Sequence, residues 1–483
     1  MKRQLFKDGL IYGLGILVVN SIGLVLLPIY ARGLKAAELG VFDYINVLFS
    51  FVHLFVCLEI TQAVAIYYAE ASSIDEKRRY ASTSIWFSIA SYSCFLLISF
   101  PFSNPIAQHL LDSNALGSIC RLGLVLICLK GFLYVFQNQL RWEMKSNAYT
   151  ISNIAAVLSA GVFSALGILV WKAGLKGLMI GQCFGHLLGC LFCIFNLRSS
   201  LELHWDSAKL KQMLTFSFPL IFSTFALILG SQIDRLLIKG MLSLRELGIY
   251  GVGMRLSTIL DLALSGFRMG IAPLIYHHYA NPKTPSALSD LFRLFVFAGL
   301  ACVVILVAYS KDLLILVTTP DYYSASSIVP LLALKTMASS LYIFLPGLII
   351  TKRMKIFAGL NIVGAFITAA ANALFIWRFG LLGGAVAGVL SAFIVYLLHL
   401  HYSQKYYRVP FPYKKVSVAA AMALGITIIL TSLPITERLN LLLTKSVILG
   451  IFLFFLSKLL VEKDEGRKLK QIIGKVLRTR AGT

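Results

Sequence analysis

Of the 483 residues, 58% are hydrophobic and only 13% charged, a balance that excludes a soluble enzyme. Lys and Arg outnumber Asp and Glu by 23, which in a soluble chain would suggest nucleic acid but here has to be read against membrane topology. A hydrocarbon core needs roughly 20 apolar residues per helical span, and about fourteen such spans can be laid along the chain, with loops too short for a folded domain outside the membrane.

In chain order, Lys2, Arg3 and Lys7 precede an apolar run too long for a signal sequence and without a small-residue cleavage site, so it reads as an uncleaved first helix. Spans at 10–30, 44–69, 81–102, 119–136, 148–171 and 177–196 form a first block of six. Spans at 214–237, 248–273, 291–309, 328–350, 356–377 and 381–400 form a second, and 416–433 and 443–460 follow it. The fold class is an all-α polytopic membrane protein: an N-terminal lobe over 1–200, a C-terminal lobe over 201–405, and two further helices with a basic tail over 406–483. Most Lys and Arg fall on the side shared with the N-terminus, among them Lys77, Arg78, Arg79, Lys352, Arg353 and Lys355. That bias places both termini in the cytoplasm. In the tail, Leu469, Ile472, Ile473, Val476 and Leu477 recur at helical spacing among basic residues, the pattern of an amphipathic helix lying on the membrane.

The two blocks repeat each other. Glu38-Leu39-Gly40-Val41-Phe42 returns as Glu246-Leu247-Gly248-Ile249-Tyr250 at an offset of 208, Trp171 to Gly177 returns from Trp377 to Gly383 at 206, and Met144-Lys145 returns as Met354-Lys355 at 210. An even number of helices per repeat keeps both copies in one orientation, so the symmetry axis runs along the membrane normal and a substrate path lies between the lobes. Gly181, Gly185 and Gly189, and Gly384 with Gly388, have the spacing of close helix packing. Cys183, His186, Cys190 and Cys193 share one helical stripe but spread over about 15 Å of helix, too far for one tetrahedral metal ion. They read as small buried residues, so neither metal nor cofactor is expected.

An ionisable group at mid-membrane costs several kcal/mol unless it faces water or a partner. Glu59 and Lys130 fall in the first block, and Asp234, Arg235, Arg255, Asp261, Arg268 and Lys335 in the second. Ion pairs such as Asp234 with Arg255, or Glu59 with Lys130, would explain some of them as structural. The five cations exceed the three anions, however, and unpaired cations need water or an anionic ligand. Lys130, Arg235, Arg255, Arg268 and Lys335 are therefore the candidate substrate-binding residues, suited to a phosphate-bearing substrate. Glu59, Asp234 and Asp261 are the candidate ion-coupling acids, Glu59 first. No acid–base or nucleophile constellation marks an enzyme.

The stretch 27–42 (LPIYARGLKAAELGVF), and 216–257 with Ser231-Gln-Ile-Asp234-Arg235 and Leu247-Gly248-Ile249-Tyr250, resemble the polysaccharide biosynthesis flippase family. This is the Wzx-type, O-antigen branch of the multidrug/oligosaccharidyl-lipid/polysaccharide exporter superfamily. The resemblance implies two six-helix lobes around a cationic lumen. It also implies transfer of an undecaprenyl-pyrophosphate-linked oligosaccharide from the cytoplasmic to the periplasmic leaflet of a bacterial inner membrane. Membrane lipids surround such a protein, and a polysaccharide polymerase and chain-length machinery are candidate partners; nucleic acid is not. Peptidoglycan-precursor flippases of the superfamily carry an Arg-Asp pair in the first helix, and 10–30 here has no charge. A small-molecule exporter on the same fold, which would call for an acidic lobe, and a membrane enzyme of the same pathway are the alternatives.

Overall fold

The computed structural model describes residues 2–198, 202, 204–279, 281–432 and 438–461; the amphipathic tail expected over 462–483 lies outside them. Among the described residues, thirteen helices are long and apolar enough to cross a membrane. One of these, Met354–Tyr406, folds back at Gly380, whose φ of 57° and ψ of −138° only glycine adopts readily, so the chain makes the fourteen crossings its hydropathy implies. The first block contains α1 (Lys2–Gly33), α2 (Ala36–Cys57), α3 (Ile60–Glu70), α4 (Ile74–Ser99), α5 (Ser103–Leu110), α6 (Gly117–Trp142), α7 (Ser146–Leu169) and α8 (Gly174–Asn196). The second contains α9 (Ser207–Met241), α10 (Leu244–His278), α11 (Thr284–Val317), α12 (Val329–Ser340), α13 (Gly347–Ile350) and α14 (Met354–Tyr406), and α15 (Tyr413–Thr431) and α16 (Arg438–Leu460) complete the described chain.

The repeat is present in the backbone as well as in the letters. Gly174 and Gly380 both take positive φ, at 54° and 57°. Met144 and Lys352 share a φ of 57°, and each closes its helix with the same bonds: Lys145 N–H to Leu140 O, and Arg353 N–H to Leu348 O, both 2.9 Å. Those turns align at 208, so the Met-Lys match at 210 is displaced from the structural register by two residues.

Small residues set the helix spacing. A Cβ on Gly181 or Gly185 would run into the α7 backbone at Ser164 or Ala160, and one on Gly189 would meet Ala156 Cβ at 2.7 Å, so α7 and α8 lie together as the glycine spacing predicts. Gly388 has a different reason: a Cβ there would stand 2.8 Å from Cδ of Lys335, so this glycine makes room for a lysine stem rather than for a helix. In the cysteine stripe, the thiols of Cys183 and Cys190 donate to the carbonyls of Leu122 and Leu129 in α6.

Two expected spans are broken. Between α2 and α3, Leu58 and Glu59 both adopt left-handed φ, at 51° and 55°. The fourth span of the second block is interrupted by a 3-10 turn, Leu341–Phe344, before Pro346 and α13, so Pro346 sits at a break, whereas Pro28 and Pro219 lie inside α1 and α9. Backbone freed from a helix at membrane depth is tolerated where protein or a wet cavity covers it.

Candidate functional site

The joint between the blocks is made by the repeated motif itself. Glu38 and Glu246 stand at the third positions of α2 and α10: the Glu38 carboxylate accepts from Lys35 N–H (2.9 Å), and Ser243 Oγ accepts from Glu246 N–H (3.1 Å). Both helices thus begin with a satisfied first turn. Two residues on, Gly40 and Gly248 cross each other. A Cβ on Gly40 would collide with the Leu244 carbonyl oxygen, and one on Gly248 with that of Ala36, so only two glycines allow the backbones this close. The crossing lies toward the end of the bundle where α1 gives way to α2, here called the distal end.

Polar contacts reinforce the distal end. Asp321, in the 3-10 segment Pro320–Ser327, accepts from Ala36 N–H (2.9 Å) at the start of α2 and from Arg245 Nη2 (2.7 Å) at the start of α10. The Ala36 N–H first, and then the Arg245 guanidinium, hold the Asp321 carboxyl below the usual carboxylate range. Tyr322 donates to Leu34 O (2.9 Å), and Lys239 pairs with Asp112 at 3.0 Å.

Directly below the crossing lies a pocket of ≈ 220 Å³, lined by Asp43 and Asn46 of α2, Arg235 of α9, and Gly251, Met254, Arg255 and Thr258 of α10. Arg255 reaches across the joint and forks onto the Asp43 carboxylate, with Nη1 to Oδ2 at 3.0 Å and Nη2 to Oδ1. The approach depends on Gly251, where a Cβ would collide with Asp43 Oδ2. Lys130, from α6, donates to Asn46 Oδ1, and Arg235 donates to Gln232 Oε1 at 2.8 Å. Three cations therefore gather around one carboxylate, a net charge of two positives where the blocks meet.

This arrangement replaces the ion pairs that depth along the spans suggests. Arg255 binds Asp43 instead of Asp234. The Asp234 carboxylate accepts from Lys335 Nζ (2.7 Å), Tyr250 Oη (2.7 Å) and the Arg235 N–H (2.8 Å), so it is buried and fully engaged within the second block. Lys130 meets an amide rather than Glu59, which sits at the α2–α3 break facing Thr224 of α9. Arg268 is bound to Asp261 (2.7 Å) and to Ser340 Oγ (3.2 Å), away from the inter-block pocket. Of the five candidate cations the structure thus brings Lys130, Arg235 and Arg255 together and sets Arg268 and Lys335 elsewhere. Asp43 and Asn46 belong to the site but are not among the sequence candidates: a span read from 44 leaves Asp43 in a loop while α2 begins at Ala36, and Asn46, inside that span, is not ionisable. The signal was available: Asp43 directly follows the repeated motif.

Residues 29–267 match the family described as polysaccharide biosynthesis protein, a stretch that includes the glycine crossing and every lining residue of the pocket beneath it. The chain is similar to this family over that stretch, just under half of its length. A curated relative, Lsg locus putative protein 1 of Haemophilus influenzae, is 25% identical over 294 residues, covering 58% of this chain and 68% of that protein. Among solved structures, the lipid II flippase MurJ in an inward closed conformation has the same fold, with a TM-score of 0.67 at 16% identity over 94% of this chain and 98% of that one. A multidrug resistance MATE family transporter of the MOP superfamily, inward-facing, gives 0.64 at 13% identity over 80% of this chain and 94% of its own. The chain is therefore a multi-pass membrane protein that shares the fold of these two structures.

Proposed function

We propose that this protein carries an undecaprenyl-pyrophosphate-linked oligosaccharide from the cytoplasmic to the periplasmic leaflet of a bacterial inner membrane by alternating access. The observation that carries the reading is the cluster of Lys130, Arg235 and Arg255 around Asp43 at the joint between the blocks. A pyrophosphate diester brings about two negative charges, which match the net charge of the cluster, and Arg forks onto phosphate as readily as onto carboxylate. The substrate then competes with Asp43 for Arg255. Its arrival weakens an ion pair that ties the distal ends together, which links binding to opening.

In this reading residues 1–200 and 201–405 are the lobes that rock, 406–483 lies outside them, both termini are cytoplasmic, and the distal end is the periplasmic face, closed in this state. The protein is a transporter and makes no covalent bond to its cargo; a polymerase and chain-length machinery act on the product. Outward movement of the pyrophosphate gains roughly 2.3 kcal/mol per charge per 100 mV of negative-inside potential. Resetting the empty carrier falls to a titratable acid. Glu59 is first, since Asp234 and Asp261 are held by Lys335 and Arg268.

The test is complementation of a strain lacking the gene. Wild-type protein restores surface glycan, whereas Arg255→Glu, present in the membrane at equal level, leaves lipid-linked glycan on the cytoplasmic leaflet. Full export by Arg255→Glu and Lys130→Glu would sink the reading.

A further inference from the structure

Away from the distal end, α2 and α6 continue the face that Asn46 and Lys130 begin. Lys130 Nζ lies 5.7 Å from the centroid of the Phe49 ring, Phe49 neighbours the imidazole of His53 at 5.6 Å, and His53 meets the ring of Tyr134 edge-on at 4.4 Å. Tyr134 follows Lys130 by four residues on α6, one turn further along the same stripe, and is 39% exposed. Glu59, within electrostatic reach of Tyr134, faces Thr224 of α9, so this face looks toward the second block.

The imidazole is oriented from behind. Tyr92 of α4 is fully buried, and its Oη lies 2.6 Å from His53 Nδ1, its one side-chain partner among the described residues. A buried hydroxyl needs an acceptor for its hydrogen, so Tyr92 donates to Nδ1 and the neutral ring carries its own proton on Nε2. Gly131 of α6 makes this contact possible, since a Cβ there would collide with the ring and hydroxyl of Tyr92. His53 is itself partly exposed, and its Nε2 keeps accessible surface and has no partner among the described residues. The result is an N–H donor of fixed direction, open to the space beside an exposed aromatic ring.

We infer that His53 and Tyr134 form a glycan subsite on the first block, with Tyr92 as the residue that positions His53. An acceptor oxygen of a sugar takes the hydrogen from His53 Nε2, and an apolar C–H face of the same sugar packs on the Tyr134 ring. A prenyl chain offers Nε2–H no acceptor, and a cation is repelled by it. His53 follows Asn46 by seven residues on α2, about 10 Å along the helix, so a pyrophosphate held at Lys130 leaves the sugars attached to it at this depth. The inference rests on the flippase reading and adds that the cargo is recognised by its glycan as well as by its charge.

The experiment measures equilibrium binding of two lipids to the full chain in nanodiscs: the native lipid-linked repeat unit from cells lacking the gene, and undecaprenyl pyrophosphate without sugar. The wild-type protein should bind the repeat unit more tightly. His53→Phe should weaken the repeat unit relative to the sugar-free lipid by about tenfold, and His53→Gln, whose amide restores a donor, should recover much of that ratio. Tyr92→Phe, which releases the tautomer but keeps the ring, should lower the ratio by less, and Tyr134→Ala gives an independent readout of it that Tyr134→Phe should not move. Thermal unfolding in detergent checks that the variants are folded. A ratio unchanged in both His53→Phe and Tyr134→Ala, whether both affinities fall together or neither falls, overturns the subsite and leaves the flippase reading standing, as does a wild-type protein that binds the two lipids equally. If the wild-type protein binds neither lipid, the flippase reading itself fails, and the subsite with it.

Discussion

The helices α2 and α10 carry the same five-residue motif and cross at the same glycine, yet one position later they part: Asp43 in the first stands at the register of Gly251 in the second. The carboxylate of one copy occupies the space the other leaves empty. The same register sets Arg255 against Val47, and Asp234 and Arg235 against Leu26 and Leu27. What the two copies share builds the joint, and where they differ places the charge. The interiors diverge in a second way. In the second block Asp234, Asp261, Lys335 and Arg268 are matched carboxylate to cation, whereas in the first Lys130 meets an amide and Glu59 sits at a break in its helix. A matched interior holds its shape, and an unmatched one can take up a ligand or a proton.

The matched side gives the largest expected effect. Lys335→Ala leaves Asp234 buried beside Tyr250 without its counter-charge, a loss of about 3–5 kcal/mol for a broken buried pair. Thermal unfolding in detergent should show it, and Asp234→Asn combined with Lys335→Met should regain most of the loss. If Lys335→Ala melts like the wild type, the second interior is not held by this pair.

Next is the shared glycine crossing. Gly40→Ala forces α2 off α10 at a cost of about 1–3 kcal/mol to the closed joint, an order-of-magnitude shift of population toward the open one. Leu247 is fully buried in the joint, so thiol labelling of Leu247→Cys should quicken about tenfold in the Gly40→Ala background. Equal labelling would show that the crossing is not the closure.

The unmatched side predicts a functional change with little loss of stability. Glu59→Gln should keep substrate binding but slow turnover and weaken its response to an imposed ion gradient in proteoliposomes. An unchanged gradient response in Glu59→Gln and in Asp234→Asn alike would leave membrane potential or consumption of the product as the driving force.

The smallest effect belongs to Asp321, whose carboxyl is shifted down by Ala36 N–H and Arg245 and which is partly exposed. A depressed carboxylate stabilises the fold above its unfolded value, near 3.8, and loses that contribution as pH falls through its lower folded value. The labelling rate of Leu247→Cys, taken relative to that of the unfolded chain at the same pH so that the falling thiolate fraction cancels, should therefore be flat from neutral pH to about 5 and rise only in stronger acid. Asp321→Asn should raise it at every pH. A rise already at pH 6 would assign the closure to another group.

Hydropathy and the loop motifs were enough to give the fourteen crossings and the block repeat, because each span must bury its own backbone hydrogen bonds and each turn needs its own glycine or left-handed residue. Gly174 and Gly380 were legible for that reason. The likeness to the polysaccharide biosynthesis family was legible too, from the stretches around Gly40 and Asp234. The partners of the charges were not. Asp234, Arg255 and Lys335 share a depth along their helices, and depth cannot say which faces which. That depends on the rotation of α2 against α10, set by two glycines that let their backbones touch. Only tertiary structure brought Asp43 across the joint to Arg255 and passed Lys335 over Gly388 to Asp234, since both follow from distances between residues far apart in the chain.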